Sequence, residues 1–192
     1  MEQKKILLYR IWHWTMAFSV IGLLGTVLLR KTFLSYKTNA IVIQEKLQTM
    51  DIELSIESAK LIGKAIRAPM WEWHYIFALS LGVSIALYFF MLFTKKMQHP
   101  FIKLIQASKE DRLKFAIHLL LCFFICIMTI SGVLIYFQDF LGISKAFAHD
   151  IKEFHEFMMN GLLVLIPLHL AGVIRHEITT KEPIISQMIH GD

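Results

Sequence analysis

Residues 115–137 read FAIHLLLCFFICIMTISGVLIYF, a run that contains no Asp, Glu, Lys or Arg. A helix needs about 20 mostly apolar residues to cross the hydrocarbon core of a bilayer, and this run is long enough. It does not show the alternation of apolar and polar residues that is typical of a strand. Because main-chain polar groups in lipid must be bonded within the chain, we expect a membrane helix here.

Three further runs without charged residues complete the pattern, and they cover residues 11–29, 75–93 and 157–174. The first run follows several basic residues, as the core of a secretory signal peptide does. However, it is longer than such a core and lacks a clear small-residue cleavage site, so we expect it to be retained. The sequence predicts an all-α integral membrane four-helix bundle, with residues 1–192 forming a single membrane-embedded domain.

The composition agrees with this prediction. Hydrophobic residues make up 56% of the chain, charged residues make up 18%, and the mean hydropathy is +0.54. Soluble domains are roughly 45–50% apolar and about 25% charged, so an ordinary soluble enzyme and a disordered tail are both excluded. The net charge of +5 comes from short basic clusters between apolar runs, as in cytoplasmic loops of membrane proteins. We therefore expect membrane lipid, and no nucleic acid, as a partner.

The distribution of Lys and Arg predicts the orientation in the membrane. The densest basic cluster lies between the second and third runs, in residues 94–114. Cytoplasmic loops carry an excess of such residues, so this loop and both termini are expected on the cytoplasmic side. The members of the cluster are Lys95, Lys96, Lys103, Lys109, Arg112 and Lys114.

The connection between the first two runs, about residues 30–70, is expected to contain short amphipathic helices on the outer membrane surface. One such helix is predicted over residues 39–50. Ser55 is predicted to cap a second helix, whose apolar positions repeat at helical spacing until Pro69 ends it. Two roles are open for these helices. They pack against the bundle as structural elements, or they act in function by covering a cofactor or docking a partner.

Histidines inside the apolar runs indicate function, because an ionisable group in a membrane is costly to bury. Under the predicted orientation, His13 and His169 lie near the inner membrane face, whereas His74 and His155 lie near the outer face. His155 and His169 are 14 residues apart in the sequence. In one helix they would therefore point within about 40° of each other and lie about 21 Å apart along the axis.

Each pair of histidines suits the two axial positions of a haem iron within a helix bundle. Zinc prefers about four ligands, and the spans contain no carboxylates for a proton relay or a cation transporter. His176 is a rival to His169 as inner ligand, but it lies between Arg175 and Glu177, which suits the headgroup region. The sequence thus predicts two non-covalent haems b, with His13, His74, His155 and His169 as iron ligands.

Two further residues are candidates for this site. Arg10 lies one turn before His13 and is predicted to bind haem propionates, although extension of its side chain toward lipid headgroups is the alternative. Arg67 on the outer side and Arg175 on the inner side are weaker candidates for the same role. His118 lies at the inner level on the third run, where it is either a packed core or interface histidine or an alternative ligand to a haem iron.

Several short motifs together resemble the bacterial cytochrome b561 and nickel–iron hydrogenase cytochrome b subunit family. They are Arg10-Ile11-Trp12-His13-Trp14, Trp71-Glu72-Trp73-His74, Phe154-His155-Glu156, Leu168-His169 and the tail Ser186-Gln187-Met188-Ile189-His190-Gly191. The resemblance covers nearly the whole chain. It implies a di-haem subunit of the bacterial cytoplasmic (inner) membrane, in which His13 and His169 hold one haem and His74 and His155 hold the other. It also implies that a quinone reacts beside one haem, often the inner one, where His118 would hydrogen-bond a quinone oxygen or transfer its proton.

The resemblance also implies a function, namely the transfer of electrons between a hydrogenase-like or other redox partner subunit and the quinone pool of a respiratory chain. Such a protein is a subunit of an oxidoreductase rather than a complete enzyme, and no residue is assigned a catalytic role. One alternative is a stand-alone cytochrome b561-type quinone oxidoreductase that acts on a small diffusible redox partner. A non-haem membrane transporter or assembly factor is the other.

Overall fold

The computed structural model describes residues 2–94, 100–108, 112–180 and 183–191, and in these residues all regular structure is helical. The all-α class predicted from the sequence is therefore confirmed. Four of the helices are long and apolar enough to cross a membrane. The helices are α1 (Glu2–Lys31), α2 (Tyr36–Gln48), α3 (Ile56–Phe93), α4 (Pro100–Gln106), α5 (Arg112–Tyr136), α6 (Lys145–Thr180) and α7 (Ile184–Ile189).

The chain divides into two compact units. The first comprises Met1–Trp14 and Gly82–Asp192. In this unit α5 packs against α6, while the short helices α4 and α7 pack against α5 and α6 respectively. Close approach of α5 and α6 depends on Gly161, because the Phe124 ring occupies the space that a Cβ atom would take there.

The second unit comprises Thr15–Leu81 and contains most of α1, all of α2 and the first two thirds of α3. Here α1 and α3 run antiparallel. The hydroxyls of Ser19 and Ser80 lie 2.9 Å apart, and the Phe77 ring fills the space beside Gly22. Glycines at such contacts are typical of membrane helices, since they allow neighbouring helices to approach closely.

The structure corrects the prediction that Pro69 ends a helix. Ser55 does begin the helix as predicted, because its side-chain oxygen accepts a hydrogen bond from the Ser58 main-chain N–H at 3.2 Å. The helix then continues through Pro69 to Phe93 as the single helix α3. A proline removes one main-chain hydrogen bond, but long apolar helices tolerate this loss when the turns on both sides continue to form.

The other connections are also more helical than predicted. The helix expected over residues 39–50 is observed as α2, Tyr36–Gln48, with Ser35 as its N-cap. Helix α6 begins at Lys145, twelve residues before the apolar run, where Ser144 accepts a hydrogen bond from the Phe147 N–H at 3.3 Å. Within the basic loop, α4 was not predicted, and Lys95, Lys96 and Lys109 lie outside the described residues.

Candidate haem-binding sites

His13, His118 and His169 come from three different helices of the first unit. His118 on α5 and His169 on α6 have ring centroids 6.3 Å apart. His13 on α1 lies close enough to His169 for the two rings to interact electrostatically. All three side chains are half-buried. The fold thus brings both proposed inner haem ligands and the proposed quinone-binding histidine into one region.

The surroundings of His13 are aromatic. The Tyr9 and Trp14 rings lie 6.4 Å and 5.8 Å from its ring centroid. Trp12 is buried, donates from Nε1 to the Ser84 carbonyl at 2.7 Å and stacks on Tyr88. The Nδ1 atom of His13 is buried and has no hydrogen-bond partner among the described residues. A buried polar atom without a partner is costly, so this imidazole suits a position beside a bound group.

His74 lies in the second unit, on the face of α3 that packs against α1. Its Nδ1 atom is 2.7 Å from Thr26 Oγ1 of α1. Trp71, one turn earlier on α3, packs edge-on against the same imidazole at 5.5 Å between centroids. These contacts hold the ring of His74 in one orientation.

His155 has a closely similar environment, although it lies in the first unit. Its Nδ1 atom is 2.8 Å from Ser131 Oγ of α5. Gly132 lies beside the ring, and a Cβ atom there would be in ordinary van der Waals contact with His155 Cε1, at 3.5 Å. Each proposed outer ligand therefore has a hydroxyl from an adjacent helix at Nδ1.

Helices α5 and α6 are antiparallel, and their register places histidines at two levels. His169 faces His118 at one level, and His155 faces Ser131 at the other. The two α6 histidines are separated by 14 residues within one continuous helix, which corresponds to about 21 Å. The separation predicted from the sequence is therefore present in the structure.

The basic candidates differ in their contacts. Arg10 donates from Nε to the Met188 carbonyl at 3.1 Å and from Nη2 to the Ile189 carbonyl, so it holds the C-terminal tail. Arg67 stacks over the Tyr36 ring at 4.9 Å, and its buried Nε has no hydrogen-bond partner among the described residues. Arg175 follows His169 by six residues on α6.

Sequence reasoning missed Thr26 and Ser131, although both residues are only 5% exposed and contact a proposed ligand. Their signal in the sequence is weak, because many helix residues of this type bond only to their own main chain. Thr129 is an example, since its hydroxyl donates to the Ile125 carbonyl one turn earlier. Only the packing of neighbouring helices distinguishes these cases.

The donor set fits a haem. Among the described residues no group of three or more His, Cys, Asp or Glu side chains is placed to hold a metal ion. A haem iron needs only two axial ligands from the protein, and neutral imidazoles oriented through Nδ1 are suitable ones. His13 is not oriented in this way, because its buried Nδ1 has no hydrogen-bond partner among the described residues, and it supports the interpretation only as a polar atom suited to lie beside a bound group.

The chain is similar to a known protein family. The model of the family described as prokaryotic cytochrome b561 matches residues 7–191, which is nearly the whole chain. No curated protein and no solved structure matches the chain. Together with the four helices able to cross a membrane, the match shows that the chain belongs to the prokaryotic cytochrome b561 family and is a bacterial multi-pass membrane protein that binds haem b and takes part in electron transfer.

Proposed function

We propose that this protein holds two haems b, one near each face of the bacterial cytoplasmic membrane, and passes electrons between a partner redox subunit and the quinone pool. The observation that carries the proposal is the placement of histidines at two levels of α6, each beside a polar side chain of α5. A single haem would need only one of these levels. We assign His13 and His169 to the inner haem, and His74 and His155 to the outer haem.

The residues of the chain bind and orient the haems and keep water away from them. When bound, the haem supplies one-electron chemistry, and its potential depends on the axial ligands and on burial. The imidazoles would hold the iron, and the aromatic rings of Tyr9 and Trp14 beside His13 would help to shield the inner haem from water. At the outer level, the half-buried Arg67 is suited to bind a propionate because its buried Nε has no hydrogen-bond partner among the described residues.

Arg10 has two roles in this proposal. Its bonds to the tail use Nε and one Nη, and a guanidinium carries five N–H donors. We propose that its remaining donors bind a propionate of the inner haem. In that case the tail and the haem would be held by the same side chain.

His118 is the proposed quinone-binding residue. Its ring lies 6.3 Å from that of His169, which is the proposed inner ligand on the facing helix. A quinone takes up two protons on full reduction, so a neighbouring imidazole is suited to hydrogen-bond its oxygen and to move a proton there. The proposal therefore places quinone chemistry beside the inner haem.

The haem assignment is tested by purifying the full-length protein in detergent and measuring reduced-minus-oxidised spectra with the haem-to-protein ratio. We expect two haems b per chain. His13→Ala and His169→Ala should each lose the inner haem, and His74→Ala and His155→Ala should each lose the outer one. His149→Ala is the matched control, because its side chain is 69% exposed.

Two results would contradict this assignment. Wild-type protein that is folded but contains no haem would contradict the whole proposal and favour a transporter or assembly factor. Loss of a haem in His176→Ala, with His169→Ala unaffected, would move the inner ligand to His176.

The quinone assignment is tested with duroquinol as reductant. In His118→Ala we expect the rate of haem reduction by duroquinol to fall at least about tenfold, the usual contribution of a positioned proton-transfer group. Reduction by dithionite and the haem content should remain as in wild type. An unchanged duroquinol rate would show that the quinone reacts elsewhere.

The partner is tested by solubilising native membranes in a mild detergent and following haem b absorbance through size separation. We expect the haem to migrate with a second redox protein, in a complex larger than the 22.3 kDa chain and its detergent micelle. Addition of that protein's reduced substrate should then reduce the haem. Haem that migrates with the chain alone and is reduced by a small donor would favour the stand-alone alternative.

A further inference from the structure

Thr26 and Ser131 contact the two proposed outer ligands in the same way. Thr26 Oγ1 of α1 lies 2.7 Å from His74 Nδ1 of α3, and Ser131 Oγ of α5 lies 2.8 Å from His155 Nδ1 of α6. Each hydroxyl is buried and reaches the imidazole from a neighbouring helix. Thr26 and His74 belong to the second unit of the chain, whereas Ser131 and His155 belong to the first.

The direction of each hydrogen bond follows from a second contact of the hydroxyl. Thr26 Oγ1 donates to the Leu23 carbonyl at 2.7 Å, and Ser131 Oγ donates to the Ile127 carbonyl at 2.8 Å. A hydroxyl has a single hydrogen, and a carbonyl oxygen has none. Because the hydrogen of the hydroxyl points to the carbonyl, the hydroxyl oxygen accepts the hydrogen bond from Nδ1–H. Both imidazoles therefore carry their proton on Nδ1 and their lone pair on Nε2.

We infer that Thr26 and Ser131 are positioning residues that hold His74 and His155 in the tautomer whose Nε2 binds the outer haem iron. This inference rests on the proposed function. A metal-binding histidine generally donates its other N–H to an acceptor, which fixes the ring and makes the ligating nitrogen more basic. The two hydroxyls are such acceptors. At the inner level His13 differs, because its Nδ1 has no hydrogen-bond partner among the described residues.

The test uses the full-length haem-loaded protein with Thr26→Val and Ser131→Ala. Loss of an acceptor of this kind typically weakens metal binding by about 10- to 100-fold. We therefore expect apomyoglobin, which takes up haem released by other proteins, to remove the outer haem about 10- to 100-fold more readily from each variant than from wild type. The midpoint potential of the same haem should rise, since a less basic imidazole stabilises ferric iron less. Thr26→Ser and Ser131→Thr keep the hydroxyl and should restore both properties.

Two matched controls remove a buried or half-buried hydroxyl without touching a histidine. Ser19→Ala lies on α1, where the hydroxyl bonds to the Thr15 carbonyl and to Ser80. Thr129→Val lies on α5, where the hydroxyl bonds to the Ile125 carbonyl. Both controls should keep the haem affinity and the potential of wild type. Equal losses in controls and test variants would overturn the inference, because they would reflect general destabilisation.

The inference and the proposed function fail in different ways. If His74→Ala and His155→Ala lose a haem but Thr26→Val and Ser131→Ala behave as wild type, the inference is overturned and the function stands. If the histidine variants keep both haems, both are overturned. Should the test variants not fold, ¹⁵N-histidine spectra of reduced wild-type protein answer the same question. A proton on Nδ1 of both histidines supports the inference, and a proton on Nε2 overturns it.

Discussion

At the scale of single residues, Gly161 has a measurable packing role. The Phe124 ring of α5 occupies the place of a Cβ atom at this position of α6, whereas nothing lies within 4 Å of such an atom at Gly172 on the same helix. We expect Gly161→Ala to destabilise the protein by about 1–3 kcal/mol, the usual cost of overpacking. Unfolding in detergent with increasing SDS measures this change.

Gly172→Ala is the matched control for that experiment. It should be neutral or slightly stabilising, because glycine in a helix costs roughly 0.5–1 kcal/mol relative to alanine. Combining Gly161→Ala with Phe124→Leu should recover part of the loss, since the shorter side chain leaves space. Equal stabilities of the two single glycine variants would show that the ring moves aside without cost.

Arg10 also acts at the residue scale, through its bonds to the tail. Besides its bonds to the Met188 and Ile189 carbonyls, it approaches Gly191 so closely that a Cβ atom there would meet the guanidinium. The Trp14 side chain adds a bond to the Met188 carbonyl at 2.9 Å. We expect Arg10→Ala to release the tail and to increase its cleavage by carboxypeptidase, followed by intact mass.

The control for Arg10 is Arg175→Ala, whose guanidinium makes no bond to the tail among the described residues. It should leave the cleavage rate unchanged. If Arg10→Ala instead keeps a protected tail but loses the inner haem, propionate binding would be the main role of Arg10.

At the scale of elements, the continuity of α3 is the main difference from the sequence prediction. Leu61 and Leu79 are both well exposed, lie on opposite sides of Pro69 and are 18 residues apart. In one continuous helix their Cα atoms are about 27 Å apart. We expect spin labels at these positions, in protein with Cys122 and Cys126 replaced by Ala, to give one narrow distance distribution near that value.

A broad distribution at clearly shorter distances would mean that the helix breaks at Pro69. Labels at Leu79 and Phe90, both beyond the proline, serve as the control pair because the intervening segment contains none. The distance distribution of this control pair should be narrow whether or not the helix breaks at Pro69. The comparison therefore isolates the effect of the proline.

At the scale of the whole molecule, the distribution of basic residues predicts the orientation in the membrane. We expect alkaline phosphatase fused after Met50 to be active, because that enzyme folds only outside the cytoplasm. A green fluorescent protein fused after Asp192 should fluoresce, and a phosphatase fused after Ser108 should be inactive as the control. The opposite pattern would invert the assignment of inner and outer haems.

The sequence predicted the helices more completely than the side-chain contacts between them. Four membrane helices follow from local composition, because an uncharged run of about 20 residues is stable in lipid only as a helix. The separation of His155 and His169 along α6 follows from helix geometry alone. By contrast, the end predicted at Pro69 was wrong, since the turns that follow a proline determine whether the helix continues.

The tertiary structure decided which side chains meet. That Thr26 bonds to His74, that Ser131 bonds to His155 and that Arg10 holds the tail all depend on residues far apart in the chain. No local pattern distinguishes Ser131 from Thr129, whose hydroxyl bonds, among the described residues, only within its own helix. The physical reason is that lipid stabilises each helix separately, whereas the register between helices is set by packing and by the few buried polar groups that need partners.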